Sequence, residues 1–256
     1  MRPWERNAKN LSASLGFYGA GEFRGGVQLI TSRVSYSVFN IALLTDPVSD
    51  MDSELDRRIQ LAGNHYREKQ RQWSFWICED YLGPRNSRRL MPAFEARGLI
   101  CIAESPGMEA PDLVPTRRAL PTLEYRRVRD SATRTAFSHI VSQCFHIPTP
   151  IAQTIYEAPE PWSHRLEVWL GYKDGAAVTS TALIEEAGAI GIYSVATLPA
   201  FRGRGLAEAT MRYAISDFRG RGAQGPLILQ SSPSGLDLYR KLGFKRTTRY
   251  FVFATE

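Results

Sequence analysis

The sequence predicts an α/β (α+β) protein in two halves, and three observations carry that expectation. Runs rich in β-branched and aromatic residues alternate with segments of helical periodicity along the chain. A proline-rich stretch at 105–122, with Pro106, Pro111, Pro115 and Pro121, divides it. The second half also holds a β-prone run, a Gly/Arg turn and a strongly periodic helix in immediate succession, at 190–218. The expected division is a first domain at 1–110, a linker at 111–122 and a second domain at 123–256. A chain of 256 residues has room for both, and 43% hydrophobic and 23% charged residues without a low-complexity tract is a globular composition.

In the first half the glycine cluster at 19–26 has no good apolar run before it and is read as a loop. β-prone runs follow at 27–31 and 35–44, then a polar helix starting near Asp52 or Ser53. A strand is expected at 73–78, and a helix from about Asn86, capped by Asn86 or Ser87 and stopped by Gly98. A strand at 99–103 closes the half. The second half reads as strand 123–128, helix 130–145, helix 149–157 and strand 166–172. An Asp174-Gly175 hairpin turn leads to strand 177–183, and a turn at Ala187-Gly188 leads to strand 190–197.

Residues 199–210, Pro-Ala-Phe-Arg-Gly-Arg-Gly-Leu-Ala-Glu-Ala-Thr, are the most informative stretch. Leu206, Thr210, Met211, Ala214, Ile215 and Phe218 recur at helical spacing, so a helix starts near residue 204. Gly203 and Gly205 free the entering turn of side chains, which lets several amides point outward together. Those amides, the helix dipole and the charges of Arg202 and Arg204 make an anion site. Leu206-Ala207 replaces the Lys-Ser/Thr of a P-loop, and Glu208 stands where a dinucleotide fingerprint needs a third glycine or alanine.

Arg202-Gly203-Arg204-Gly205-Leu206-Ala207 resembles the acetyl-CoA signature of the GNAT acetyltransferase superfamily, Arg/Gln-x-x-Gly-x-Gly/Ala. A second motif of that family lies downstream: an apolar strand at 226–230, a helix carrying Tyr239, Leu242-Gly243-Phe244, and a closing strand at 250–253. The resemblance covers 123–256. It implies a mixed, mostly antiparallel twisted sheet flanked by helices. Phe94-Glu95-Ala96-Arg97-Gly98-Leu99 is a faded version of the second motif without a cradle, so the first half resembles the degenerate first domain of tandem GNAT proteins.

The resemblance further implies acetyl-CoA as cofactor. Gly203, Arg204, Gly205, Leu206 and Ala207 would offer amides to its pyrophosphate, and Arg202 and Arg204 charge. Val195, Ala196 and Thr197 would pair with the pantetheine arm, Val195 or a neighbour would polarise the thioester carbonyl, and Ser232 would complete the cofactor contacts. Tyr239 holds the place of the general acid that protonates the departing thiolate. Attack requires a neutral amine, which for an alkyl ammonium is about one molecule in 2,500 at pH 7, a cost of about 4–5 kcal/mol. No carboxylate stands on the strand before the cradle; Glu157, Glu160, Glu185, Glu186 and His146 remain open as bases, with a water relay beside them.

The expected activity is transfer of an acetyl group to a primary amine of a small cationic molecule, an aminoglycoside-type antibiotic being one such acceptor. Its expected lining is Trp73, Trp76, Glu79, Asp80, Tyr156 and Glu157, with Glu160 and Trp162, where the halves meet: carboxylates beside flat rings suit a cation. A protein lysine or N-terminal acetyltransferase and a non-catalytic acyl-CoA-binding module are the alternatives. The net charge of +6 is spread over scattered arginines, so no nucleic-acid partner is expected. Four scattered histidines and three cysteines, Cys78, Cys101 and Cys144, give no metal spacing and no disulfide frame. With no long apolar stretch and no secretory segment, a cytoplasmic monomer or homodimer without a membrane partner is expected.

Overall fold

The computed structural model describes residues 1–51, 53–116 and 118–255. The chain forms two compact units: unit 1 comprises Met1–Glu109, Gln230–Arg240 and Lys245–Glu256, and unit 2 comprises Ala110–Leu229 and Lys241–Phe244. Both are strands packed with helices, the α/β class that the sequence predicts.

Unit 1 opens with a helix absent from the sequence reading, α1 (Pro3–Leu15). Pro3 sits in its first turn, and Glu5 reaches back to the Arg2 amide (2.9 Å), satisfying a donor that the helix leaves open. The glycine cluster is no loop. β1 (Gly21–Arg24) and β2 (Val27–Ile30) form an antiparallel hairpin around Gly25-Gly26, both at positive φ, as a two-residue turn requires. β3 (Ile41–Leu44) follows, while residues 37–39 of the expected longer strand make a 3-10 turn. Helix α2 (Glu54–Glu68) begins close to its expected start; Asp52 itself lies outside the described residues.

β4 (Ser74–Cys78) matches its expectation, whereas the single helix expected from Asn86 divides into α3 (Pro84–Arg88) and α4 (Leu90–Glu95). Pro84 starts α3, and Pro92 lacks the amide that a continuous helix would use. Asn86 is no cap; its side chain donates to the Ser49 carbonyl (2.8 Å). Gly98, at φ 70°, does end the helical segment. β5 (Ile100–Ala110) runs well past residue 103, through the proline that suggested a linker. Proline loses only a donor: the Pro106 carbonyl still accepts from the Ser231 amide at 2.9 Å.

Unit 2 contains β6 (Glu124–Arg127), α5 (Ser131–Phe145), α6 (Thr149–Tyr156), β7 (Glu167–Lys173), β8 (Ala176–Glu186), β9 (Ala189–Thr197), α7 (Leu206–Gly220) and β10 (Leu227–Gln230, its last residue grouped with unit 1). Its strand order is β10-β9-β8-β7-β6, antiparallel except that β9 and β10 are parallel. Leu206, Ala209, Thr210, Met211, Ala214, Ile215 and Phe218 of α7 are buried, so the predicted stripe is the packed face. Leu123, Val178, Leu206 and Ala209 form a core cluster at its first turn, covered by Leu120, Tyr125 and Phe201.

The chain then returns to unit 1. After α8 (Leu236–Lys241), β11 (Lys245–Ala254) runs between β4 and β5, antiparallel to both, giving the order β1-β2-β3-β4-β11-β5. The C-terminal strand therefore belongs to the first half, where the sequence reading had kept it in the second domain. Buried Asn7 ties this arrangement together: its amide donates to the Met108 carbonyl (3.3 Å) and its carbonyl accepts from Tyr250 (2.9 Å) and Gln230 (2.6 Å). Among the described residues no helix is long and apolar enough to cross a membrane.

Candidate active site

The site in unit 2 begins with a defect in a strand. β8 and β9 pair regularly up to Ala182↔Tyr193, and the register then resumes at Ser180↔Ala196. Ser194 and Val195 thus oppose the single residue Thr181, a β-bulge that bends β9 and re-aims its backbone. Ser194 has φ 46°, a left-handed conformation uncommon outside glycine. Buried hydroxyls hold this shape: Ser180 donates to the Ser194 carbonyl (2.8 Å) and Thr179 to the Ala196 carbonyl (2.7 Å). On its other side β9 pairs in parallel with β10 at Ile190 and Gly191.

The turn after β9 shapes the cradle. The Leu198 amide bonds the Val178 carbonyl (2.9 Å), residues 199–201 make a 3-10 turn, and the Arg202 Nε donates back to the Thr197 carbonyl at 3.0 Å. Gly203 and Gly205 follow at φ 75° and 80°, both left-handed, so neither position accepts a side chain without strain. Gly205 caps α7 without a side-chain bond, and the first helical amide to find a partner is that of Ala209, on the Gly205 carbonyl (3.0 Å). Among the described residues, the amides from Gly203 to Glu208 have no acceptor. Exposed donors at the positive end of a helix of this length attract an anion.

The charges agree. Arg202 and Arg204 are exposed on the turn, Arg204 lying 5.7 Å from the centre of the Phe201 ring. Glu208, the carboxylate that would oppose an anion, is drawn off by Arg212 at 2.9 Å. A third guanidinium was not read from the sequence: a Cβ on Gly205 would lie 3.0 Å from the terminal nitrogen of Arg118. Arg118 was hidden in the proline-rich segment, where nothing in spacing links it to a turn about 85 residues later. Cys144 also sits here. Burial raises its thiol pKa, opposed by the neighbouring Arg202.

Ser232 and Tyr239 lie in segments that group with unit 1. The Ser232 and Ser234 hydroxyls are 3.1 Å apart at the turn into α8. Tyr239 is buried, and that burial pushes its phenol pKa well above the usual range, keeping the proton on oxygen.

The expected acceptor lining divides differently. In unit 1, Trp73 is buried and stacked on Tyr66 (5.2 Å), and the Trp76 ring nitrogen donates to the Ser74 hydroxyl (2.9 Å). Glu79 is held by Arg246 (2.9 Å) and Arg249 (3.0 Å), while Asp80 accepts from Thr248 (2.6 Å). In unit 2, Tyr156 is a core residue set edge-on to Phe137 at 5.0 Å, its carbonyl taking the Trp162 ring nitrogen (2.8 Å), and Glu157 caps the end of α6. Within their own units, Trp73 and Tyr156 are thus core rings, Glu79 is paired with arginines and Asp80 with a hydroxyl. Of the open bases, Glu186 is tied to Arg165 and to the Ala187 amide, which lower its pKa, and Glu185 accepts from the Gln224 amide (2.9 Å).

A bulged strand feeding a left-handed Gly/Arg turn and an uncapped helix defines an anion-cradling α/β domain. Residues 164–246 match the family model described as an acetyltransferase (GNAT) domain, so the chain carries an acetyltransferase domain of that type. None of the curated proteins matches the sequence. Among solved structures, a GCN5-related N-acetyltransferase from Kribbella flavida aligns with a TM-score of 0.73 at 20% identity, covering 100% of this chain and 96% of its own. A putative GNAT-family acetyltransferase from Novosphingobium aromaticivorans aligns at 0.57 and 16% identity, covering 100% and 97%. A conserved protein of unknown function from Staphylococcus epidermidis aligns at 0.61 and 11% identity, covering 92% of each chain. At such identities the likeness is one of fold.

Proposed function

We propose that the GNAT-type domain transfers an acetyl group from acetyl-CoA to a primary amine of a small cationic molecule. The observation that carries this reading is the row of unpartnered amides at Gly203–Glu208, reached by the guanidinium groups of Arg118, Arg202 and Arg204. A Cβ at Gly203 would meet nothing within 4 Å, so that side of the turn is open, while at Gly205 a Cβ would lie 3.0 Å from the Arg118 guanidinium.

Acetyl-CoA, when bound, supplies an activated acetyl thioester. The amides of Gly203, Arg204, Gly205, Leu206 and Ala207 would hold its pyrophosphate, and Arg118 and Arg204 would add charge. The bulge at Ser194-Val195 turns backbone away from the β8 ladder, so the Val195 amide can donate to the thioester oxygen. The backbone of Ala196 and Thr197 would orient the pantetheine arm. Tyr239, on the motif resemblance at 239–244, keeps a proton on its phenol for the leaving sulfur.

The test is thiol release from acetyl-CoA in the presence of aminoglycosides, polyamines, amino acids and lysine peptides. Amine-dependent release with a mass gain of one acetyl group on a small amine supports the proposal. Release with peptides alone makes the domain a protein acetyltransferase, and cofactor binding without release makes it a binding module. Cys78 is buried, with its thiol pKa pushed to about 11, but Cys101 and Cys144 are partly exposed, so the assay subtracts the protein's own thiols.

A further inference from the structure

Among the described residues, side chains occupy the surroundings of the start of α2. Arg58 donates to the carbonyls of Asp46 (2.6 Å) and Pro47 (2.9 Å), and Glu54 accepts from the Ser49 amide (2.7 Å). At the far end of the same helix the reverse holds. A cavity of about 750 Å³ opens there, lined entirely by unit 1 residues. Ile59, Trp73 and Leu99 provide its apolar wall, and Arg67, Arg71 and Arg97 provide its charge.

The geometry of α2 makes this room. Ile59, Gly63 and Arg67 follow one another at four-residue spacing on one helix face. A side chain at Gly63 would lie 3.7 Å from the Trp73 ring, so the glycine leaves that ring open to the cavity while Tyr66 stacks on it.

The charge is unusual for a surface so rich in ion pairs. Among the described residues no carboxylate lines the cavity. The Nε of Arg71 is buried without a hydrogen-bond partner, and among the described residues no acid lies within ion-pair distance of its guanidinium. Arg67 bonds the neutral Asn64 side chain, at 3.2 Å. Arg97 is held from behind by Asp56 (2.9 Å) and the Ala93 carbonyl (2.8 Å). A guanidinium without an acid partner is a ready donor to an acidic group entering the cavity. The C-terminal end of a helix disfavours an anion, but by less than one charge-assisted bond to arginine contributes.

We infer that unit 1 binds a small organic anion, an acidic group on a flat apolar body, in this cavity, with Arg67 and Arg71 taking the acid and Trp73 the body. The cavity volume falls in the range of small-molecule sites. Such a ligand is neither the cofactor nor the cationic acceptor of unit 2, so the inference stands independently of the proposed transferase activity.

The probe is 1-anilinonaphthalene-8-sulfonate, titrated into the full chain and followed by its own emission and by tryptophan quenching. Saturable binding that weakens with added salt is expected. Arg71→Gln and Arg67→Gln should each weaken it about tenfold, while Arg165→Gln, on the exposed surface of unit 2, should leave it unchanged. Arg71→Lys, which keeps the charge, should fall between wild type and Arg71→Gln, and thermal melts confirm that each variant is folded. Displacement by 2-naphthoate or by 2-naphthyl phosphate tells a carboxylate preference from a phosphate one. Equal binding of neutral N-phenyl-1-naphthylamine, or wild-type affinity in both glutamine variants, would overturn the inference.

Discussion

Valine at position 205 meets two obstacles: a backbone at φ 80°, and the Arg118 guanidinium 3.0 Å from its Cβ. The conformational part alone costs about 1–2 kcal/mol. Gly205→Val is expected to raise the KM for acetyl-CoA at least tenfold; an unchanged KM removes the cradle from the mechanism. Arg118→Ala removes a charge that the fold, not the local motif, delivers, and should raise the same KM about fivefold with kcat near wild type. Tyr239→Phe addresses the other end of the reaction. Because burial holds the phenol pKa above its usual value, the proton stays bound throughout the neutral and mildly alkaline range. The variant should therefore lose at least tenfold in kcat by an equal factor from pH 7 to 10, with KM for the cofactor little changed. Turnover equal to wild type would reduce Tyr239 to packing beside Gly235, whose Cβ position lies 2.9 Å from its ring.

Helices and strands were legible where one local signal dominated. The apolar stripe of α7 and the turns at Asp174-Gly175 and Ala187-Gly188 follow from periodicity and from residues that tolerate positive φ. Where two signals competed, the reading failed. Pro92, which lacks an amide, lies in a segment whose cap and stop residues suggested one helix, and Pro106 lies inside β5 because a strand can spare one donor. The start of α2 provides a test at this scale. Glu54 has a lowered pKa because it accepts from the Ser49 amide and pairs with Arg58. A lowered carboxylate pKa contributes stability above the unfolded value of about 4.3, and that contribution disappears as pH falls through the folded value. Glu54→Gln should thus cost about 1–2 kcal/mol at pH 7 and nearly nothing at pH 2, measured by denaturant unfolding. Equal losses at both pH values would mean that shape rather than charge holds the turn.

For the whole molecule, β11 decides what can fold alone. It lies between β4 and β5, so the segment 1–110, the first domain that composition suggests, lacks an interior strand of its own sheet. Removing residues 245–256 exposes the facing edges of β4 and β5 and empties the place of Tyr250, Phe251, Val252 and Phe253, all buried. The truncated chain, and the isolated 1–110 fragment, should lose cooperative unfolding by far-UV circular dichroism; a sharp transition in either would show that β11 is dispensable. By itself the amino-acid sequence determined the α/β class and the succession of β9, Gly/Arg turn and α7, since each depends on backbone freedom and periodicity within about 20 residues. Only the tertiary structure decided which unit owns the last strand, that Arg118 arrives at Gly205, that Trp73 and Tyr156 pack in the cores, and that Glu79 takes ion pairs and Asp80 a hydroxyl. Strand pairing and charge pairing join residues far apart in the chain, and local composition carries no record of which distant partner completes them.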